Sequence, residues 1–374
     1  MARPELLALT SLRAFAAMHV VLYHVTGELG GQAARALPAP VVAFLGCGQS
    51  AVSFFFVLSG FILAYTYCDA DGGMRGTRTR FWRARFARIY PLYFASFLLD
   101  APRAVGFFFK ASPSHAIALT KSAIAAAGYL TLLQSWVPRI TNAWNTPGWS
   151  LSTEAFFYAM FPSIVLGVRG WSARRIIACG LACWGLLLAV YWFVEARDPS
   201  LLESAGLQTA WRSLPPLRLP EFVLGIGIGR LHLSSDSKAV DRWLGVGGLL
   251  ACLLLVGLFA FGTGLPRGLV SNSLGAPLFA ILVLALARDR LPLTRWLRDP
   301  AWVLLGRASY AVYILHQPLK TWYLGIAAVL AVPASPALLA AYVLALQVVC
   351  IGAFRIIEDP ARRFLTHPVA MAAS

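Results

Sequence analysis

Charged residues are scarce in this sequence. Its 374 residues include 32 Lys or Arg and 16 Asp or Glu, 13% of the chain, while 59% are hydrophobic and the mean hydropathy is +0.68. Water-soluble domains carry about 25% charged and 45 to 50% apolar residues. So little charge cannot cover a soluble surface, so the solvent is a bilayer. Acidic residues are the scarcer sign, and the net charge of +16 admits nucleic-acid binding, a polybasic membrane contact, or membrane topology. Long polar stretches, internal repeats and low-complexity linkers are missing, which predicts a single membrane domain over residues 1–374 with no appended soluble domain. The six cysteines lie in or beside apolar runs, without CxxC or Cys/His spacing. That excludes a zinc motif, predicts no metal, and leaves them as small buried packing residues. A cleavable signal peptide is missing too. The first apolar stretch is broken by Arg13, His19 and His24 and lacks a small-residue cleavage site, so it is expected to stay as a membrane helix.

What is present is a succession of apolar segments near the 20 residues that cross a bilayer. Eleven occur, at 6–26, 41–67, 89–109, 116–133, 150–168, 176–194, 219–233, 243–261, 269–287, 302–330 and 337–357. The segment 89–109 is interrupted by Asp100, Pro102 and Arg103, which predicts a re-entrant hairpin. The fold class expected is therefore an all-α integral membrane protein of about ten transmembrane helices plus a re-entrant segment, both termini cytoplasmic. The positive-inside rule supports this assignment. It places 22 of the 32 basic residues inside, Lys110 and Lys121 among them, and six outside: Arg35, Arg139, Arg197, Arg212, Arg218 and Arg267. Topology thus accounts for most of the basic excess. Nucleic-acid binding needs a basic face with stacking aromatics, which is not found.

Ionisable residues inside membrane helices are costly and mark candidate functional positions. Arg13 and His24 are eleven residues apart, which on a helix is one shared face and about 16 Å of rise. Snorkelling of Arg13 to the inner interface, with His24 closing the outer end, accounts for the pair equally well. Ser59-Gly60, set among Phe54, Phe55, Phe56 and Phe61, permits close approach of a ligand or, alternatively, of another helix. Six arginines fall within residues 75–88. Arg85 and Arg88 could present two guanidinium forks to phosphate, or the loop could contact anionic lipid. Pro147-Gly148 supplies a turn before a helix on which Ser150, Glu154 and Tyr158 share one face, with Ser150 as its N-cap. Tyr313 and His316 lie together in the tenth span. Glu358 with Arg362, four residues on, reads as a solvated helix-end contact. Outer loops at 27–40, 134–149 and 195–218 are expected to shape an acceptor site. The tryptophans Trp136, Trp144 and Trp149 suit sugar stacking or an interfacial belt.

Basic residues at an inner mouth, with a carboxylate and an imidazole deeper in the membrane, suit a phosphorylated donor and deprotonation of a hydroxyl. A transporter uses similar groups. In content and order, Arg13 with His24, FFFVLSGF (54–61), RARFARIYP (83–91), WSLSTEAFFY (149–158), SYAVYILHQP (309–318) and EDPARR (358–363) resemble the membrane-bound acyltransferase 3 family over nearly the whole chain. The resemblance implies an acyltransferase of the bacterial inner membrane. It would move an acyl group, usually acetyl, from cytosolic acyl-CoA as co-substrate to a hydroxyl of a carbohydrate acceptor such as an exopolysaccharide or O-antigen, with no permanently bound cofactor. A macrolide or lipid acceptor, or in another class an exporter or flippase, are the alternatives. By motif position His24 is implied as catalytic base with Arg13 its partner, Glu154 as orienting the imidazole, and Arg85 and Arg88 as the CoA-phosphate contact. Ser59 and Gly60 would lie along the acyl-CoA path, and Ser150, Tyr158, Tyr313 and His316 would support the site.

Overall fold

A computed structural model describes residues 3–27, 37–69, 71–234, 237–262, 265–271, 273–333 and 335–366. Arg35 and residues 28–36 of the first outer loop lie outside them. Among the described residues the fold is all-helical. Its main helices are α1 (Leu7–Thr26), α2 (Ala39–Gly46), α3 (Ala51–Tyr67), α4 (Arg78–Ala111), α5 (His115–Leu130), α6 (Trp149–Gly167) and α7 (Ala173–Arg197). They continue with α8 (Pro215–Leu233), α9 (Ser237–Phe261), α10 (Ala276–Ala287), α11 (Pro300–Val329), α12 (Pro336–Ala353) and α13 (Asp359–Thr366). Polar residues mark where several begin. Thr77, Ser114, Ser172 and Ser335 accept the backbone N–H three residues on, satisfying donors that the first helical turn leaves open. Six helical stretches, Leu7–Thr26, Ala39–Tyr67, Arg78–Ala111, Ala173–Arg197, Asp241–Phe261 and Pro336–Thr366, are long and apolar enough to cross a membrane.

The bundle is held by helices that meet backbone to backbone. A Cβ placed on Gly60 would sit 2.1 Å from the Phe222 carbonyl, and one on Gly225 would sit 2.1 Å from that of Val57. Helices α3 and α8 therefore run parallel in direct contact, which only glycine at these two positions allows. Gly306 does the same for α1 and α11, where a Cβ would lie 2.0 Å from the Thr10 carbonyl. Gly60 thus faces a neighbouring helix, the second of the two readings of the Ser59-Gly60 pair.

The hairpin expected at 89–109 does not form. That segment is part of the continuous 34-residue helix α4, about 50 Å long at 1.5 Å per residue. Tyr310 Oη donates to the Ile89 carbonyl at 2.6 Å and Trp322 Nε1 to that of Leu99 at 2.9 Å, so α4 runs beside α11 for a long stretch. The charges that suggested a break neutralise one another. Arg103 Nε donates to Asp100 Oδ1 at 2.7 Å, and an Arg103 amino group reaches the Trp144 carbonyl at 2.9 Å. Lys110 therefore stands at the opposite end of α4 from Arg78.

The part that turns back is the next one. Tyr93 donates to the Tyr129 carbonyl and Tyr90 to that of Leu130, so α5 returns only to the level of Tyr90–Tyr93. Residues 131–148 then pack as irregular chain against the middle of α4. Gln134, Ser135, Thr141 and Asn145 are buried there and hydrogen-bonded: Asn145 Nδ2 donates to the Ile314 carbonyl at 2.8 Å and Gln134 Nε2 to that of Gly148 at 2.7 Å. Irregular backbone is tolerated at such depth only when protein satisfies it. Trp144 and Trp149, expected in an exposed loop, are buried, and Trp144 stacks on Phe97 at 4.6 Å; Trp136 stays exposed.

Both described ends of the chain gather at one end of the bundle. Arg307 Nη2 donates to Glu5 Oε2 at 2.7 Å, Arg3 reaches the Tyr65 carbonyl, and Arg83 that of Leu365. The cysteines are not uniformly buried: Cys68 and Cys350 are, whereas Cys179 and Cys183 are exposed on the surface of α7.

Candidate functional site

A cavity of about 150 Å³ lies between α1, α3, α4, α6 and α11. Its wall carries Arg13 from α1, Ser59 from α3, Arg85 and Arg88 from α4, Ser150, Glu154 and Tyr158 from α6, and Ser309, Tyr310 and Tyr313 from α11. The helical spacings decide this convergence. Arg85 and Arg88 are one turn apart, as are Ser150, Glu154 and Tyr158, so each set faces the cavity together. Ten candidate residues were drawn from the sequence besides Gly60, and all but His24 and His316 line this one space.

Hydrogen bonds organise the wall. Glu154 Oε1 accepts from Ser59 Oγ at 3.2 Å and from Tyr158 Oη at 2.5 Å. The Arg85 guanidinium donates to Tyr67 Oη at 3.1 Å and lies over the Tyr67 and Tyr158 rings, 5.4 and 5.8 Å from their centroids. Arg88 is paired with Glu358. Among the described residues, neither Arg13 nor Arg85 has a carboxylate oxygen within salt-bridge distance. The mouth therefore holds three guanidiniums against Glu154 and Glu358, an excess of positive charge in a confined space. Such a surface suits an anion carrying several oxygens.

The carboxylate of Glu358 overturns an expectation. It is buried at 2% exposure and bonds Arg88, while Arg362 pairs with Asp359 at 2.8 Å. A π-helical turn, Phe354–Glu358, sits between α12 and α13. The phase of that turn differs from the α-helical one assumed from the spacing of four, and it sets Glu358 inward.

At the other end the cavity closes on Ser150, Phe55 and Tyr313. Ser150 Oγ and Tyr313 Oη are 2.7 Å apart, and Phe55 meets the Tyr313 ring edge-on at 5.8 Å. Ser150 lies inside α6 and bonds the Pro147 carbonyl at 3.0 Å, so it is not the expected N-cap. One turn further along α11 is His316, fully buried, whose Nε2 is 3.2 Å from His24 Nδ1. Lys320 Nζ donates to the His24 carbonyl at 3.1 Å. The Arg13 and His24 face read from the sequence is real, with Arg13 at the cavity and His24 beyond its closed end. Glu154, expected beside the imidazole, holds Ser59 and Tyr158 instead.

One buried pair escaped the sequence. Arg218, counted as an outer-loop residue, lies within α8, 3.1 Å from Glu221 Oε1 and 2.9 Å from Ser53 Oγ. Its spacing of three from Glu221 inside an apolar segment was the available signal.

A polytopic helical membrane protein with a basic cavity leading toward paired imidazoles is the class that these observations define. A family model described as Acyltransferase domain, that of the acyltransferase 3 family, matches residues 6–355. The chain belongs to this family and is an acyltransferase. It is 33% identical to "Acyltransferase MdmB" of Streptomyces mycarofaciens over 98% of this chain and 94% of that protein. It is 29% identical to "Exopolysaccharide production protein ExoZ" of Rhizobium meliloti, over 84% of this chain and 90% of the relative. With "O-acetyltransferase OatA" of Staphylococcus aureus it shares 23% identity, over 83% of this chain and half of the longer relative. No solved structure matches the chain.

Proposed function

We propose that this protein transfers an acetyl group from cytosolic acetyl-CoA to a hydroxyl of a carbohydrate acceptor, from a position in the bacterial inner membrane. The observation that carries it is the cavity running from Arg13, Arg85 and Arg88 to the Ser150/Tyr313 closure, with His24 and His316 one helical turn beyond. Arg85 and Arg88 take the CoA phosphates, and Arg13 adds a third cation as the pantetheine arm enters. Glu154, fixed by Ser59 and Tyr158, shapes the wall beside that arm. The arm must pass Tyr313 to bring the thioester to His24. There the imidazole takes the acceptor hydroxyl proton, the oxygen attacks the thioester carbon, and the C–S bond breaks. The thiolate leaves and takes up the proton from the imidazolium, so that CoA departs as free thiol. The name of one relative refers to exopolysaccharide production, which supports a glycan acceptor, and that of another to O-acetyl transfer, which supports an acetyl group and a hydroxyl.

The test is release of free CoA thiol in inverted membrane vesicles that hold the native acceptor. Wild type is expected to release thiol in step with acceptor acetylation, and His24→Ala to lower the rate by about 10²- to 10⁴-fold, the range of a general base. A His24→Ala protein that turns over at the wild-type rate removes His24 from the mechanism.

The proposed topology has ten crossings with both ends cytoplasmic. In it α4 spans the bilayer and α5, the buried segment and α6 share one crossing. The meeting of Arg3 with the Tyr65 carbonyl near the end of α3, and of Leu365 with Arg83 in the Arg-rich start of α4, supports this count. It moves Lys110 and Lys121 outside. Alkaline phosphatase fused after Pro113 is therefore expected to be active, and an inactive fusion would return α4 to a re-entrant position.

A further inference from the structure

The two imidazoles stand in a fixed donor and acceptor order. His316 Nδ1 lies 2.7 Å from the Tyr313 carbonyl, which can only accept, so that nitrogen carries the ring proton and Nε2 carries the lone pair. His24 Nδ1 lies 2.9 Å from the Val20 carbonyl, which likewise assigns it a proton, and 3.2 Å from His316 Nε2. The His24 Nδ1 proton therefore points at both the Val20 carbonyl and the His316 lone pair, and the lone pair of His24 is on Nε2. Tyr342 Oη donates to the His316 backbone carbonyl, and Lys320, on the helix that carries His316, donates to the His24 backbone carbonyl, so the backbones that carry the two rings are tied beside each other.

We propose that His316 is the positioning residue of the reaction: a hydrogen-bond acceptor that holds His24 as the Nδ1–H tautomer and shares that proton when Nε2 becomes protonated. This rests on His24 being the base. When the acceptor O–H bond breaks, its proton goes to His24 Nε2, and the charge of the imidazolium spreads through the Nδ1–H···Nε2 bond onto His316. When the C–S bond has broken, the sulfur takes the proton from His24 Nε2, and the pair returns to its neutral order. A neutral imidazole serves here because its Nε2 presents a lone pair, while Lys320 beside it is bonded to the His24 backbone carbonyl. Partners that orient a functional histidine in this way are worth about 10- to 100-fold when removed.

The experiment compares His316→Gln with His316→Leu, side chains of similar volume of which only Gln offers an acceptor oxygen. Thiol release from acetyl-CoA is measured in native-acceptor vesicles, with acetyl-CoA affinity measured on the purified variants. His316→Leu is expected to lower kcat by about 10- to 100-fold with KM for acetyl-CoA within about twofold of wild type. His316→Gln is expected to recover most of the rate. Equal rates for the two variants overturn the proposal, and so does loss of acetyl-CoA binding in both, which would assign His316 to packing alone. His24→Gln is measured beside them. If it keeps the wild-type rate, the assignment of His24 fails; if it is inactive while His316→Leu keeps the wild-type rate, only the role of His316 fails.

Discussion

The two ends of the cavity bury polar groups by opposite means. At the mouth the buried groups are charged: Arg88 pairs with Glu358, while Arg85 rests on the Tyr67 and Tyr158 rings. At the closed end, neutral groups satisfy one another, Ser150 with Tyr313 and His24 with His316. A buried ion pair is costly to break, because the partner left behind is an uncompensated charge. A neutral hydrogen bond is cheap to lose, at about 1 kcal/mol. A broken contact therefore costs more at the mouth than at the closed end.

Three substitutions sharpen that contrast. The largest effect is expected from Arg88→Ala, which orphans Glu358 in the core and destabilises by about 3 to 5 kcal/mol; thermal melting of the purified protein measures it. The double variant Arg88→Ala/Glu358→Ala should recover much of the lost stability, and a double variant as unstable as the single one would mean that the pair is not the source. Next comes Arg85→Ala, whose guanidinium has only aromatic partners to lose. Its effect is expected on donor binding, a rise of about tenfold in KM for acetyl-CoA, equivalent to about 1.4 kcal/mol, with kcat little changed. Acetyl-CoA lacking its 3′-phosphate provides the control, since a phosphate contact predicts that variant and wild type differ less on it. The smallest effect belongs to Tyr313→Phe, which removes one neutral hydrogen bond to Ser150 and should shift melting by about 1 kcal/mol or less. A loss as large as that of Arg88→Ala would make the closed end as costly to break as the mouth and remove the contrast.

Much of the site was legible in the sequence because helical spacing is local. Arg85 and Arg88, or Ser150, Glu154 and Tyr158, share a face whatever they pack against. The depth of each group was less legible. Glu154 was expected at the level of His24, yet α6 starts beside the middle of α4, so Glu154 meets Ser59 and Tyr158 at the cavity wall. Hydropathy counted the 116–133 and 150–168 segments as separate spans. It could not show that the amide nitrogens of Gln134 and Asn145 between them find acceptors inside the protein, in Tyr93, Ser96 and the Ile314 carbonyl. In the same way Asp100 and Arg103 read as a break, because a sequence displays two charges and not the bidentate bond that cancels them.

By itself the sequence determined the solvent, the helical class, the family and the two faces that carry arginine and histidine. These follow from composition and from a period of 3.6 residues, properties of each segment alone. Only the tertiary structure decided that Gly60 meets Phe222, that Glu358 turns inward to Arg88, and that His24 faces His316. Each of those depends on a contact between residues 162 or more positions apart, and no local rule fixes which buried polar groups will satisfy one another across a bundle.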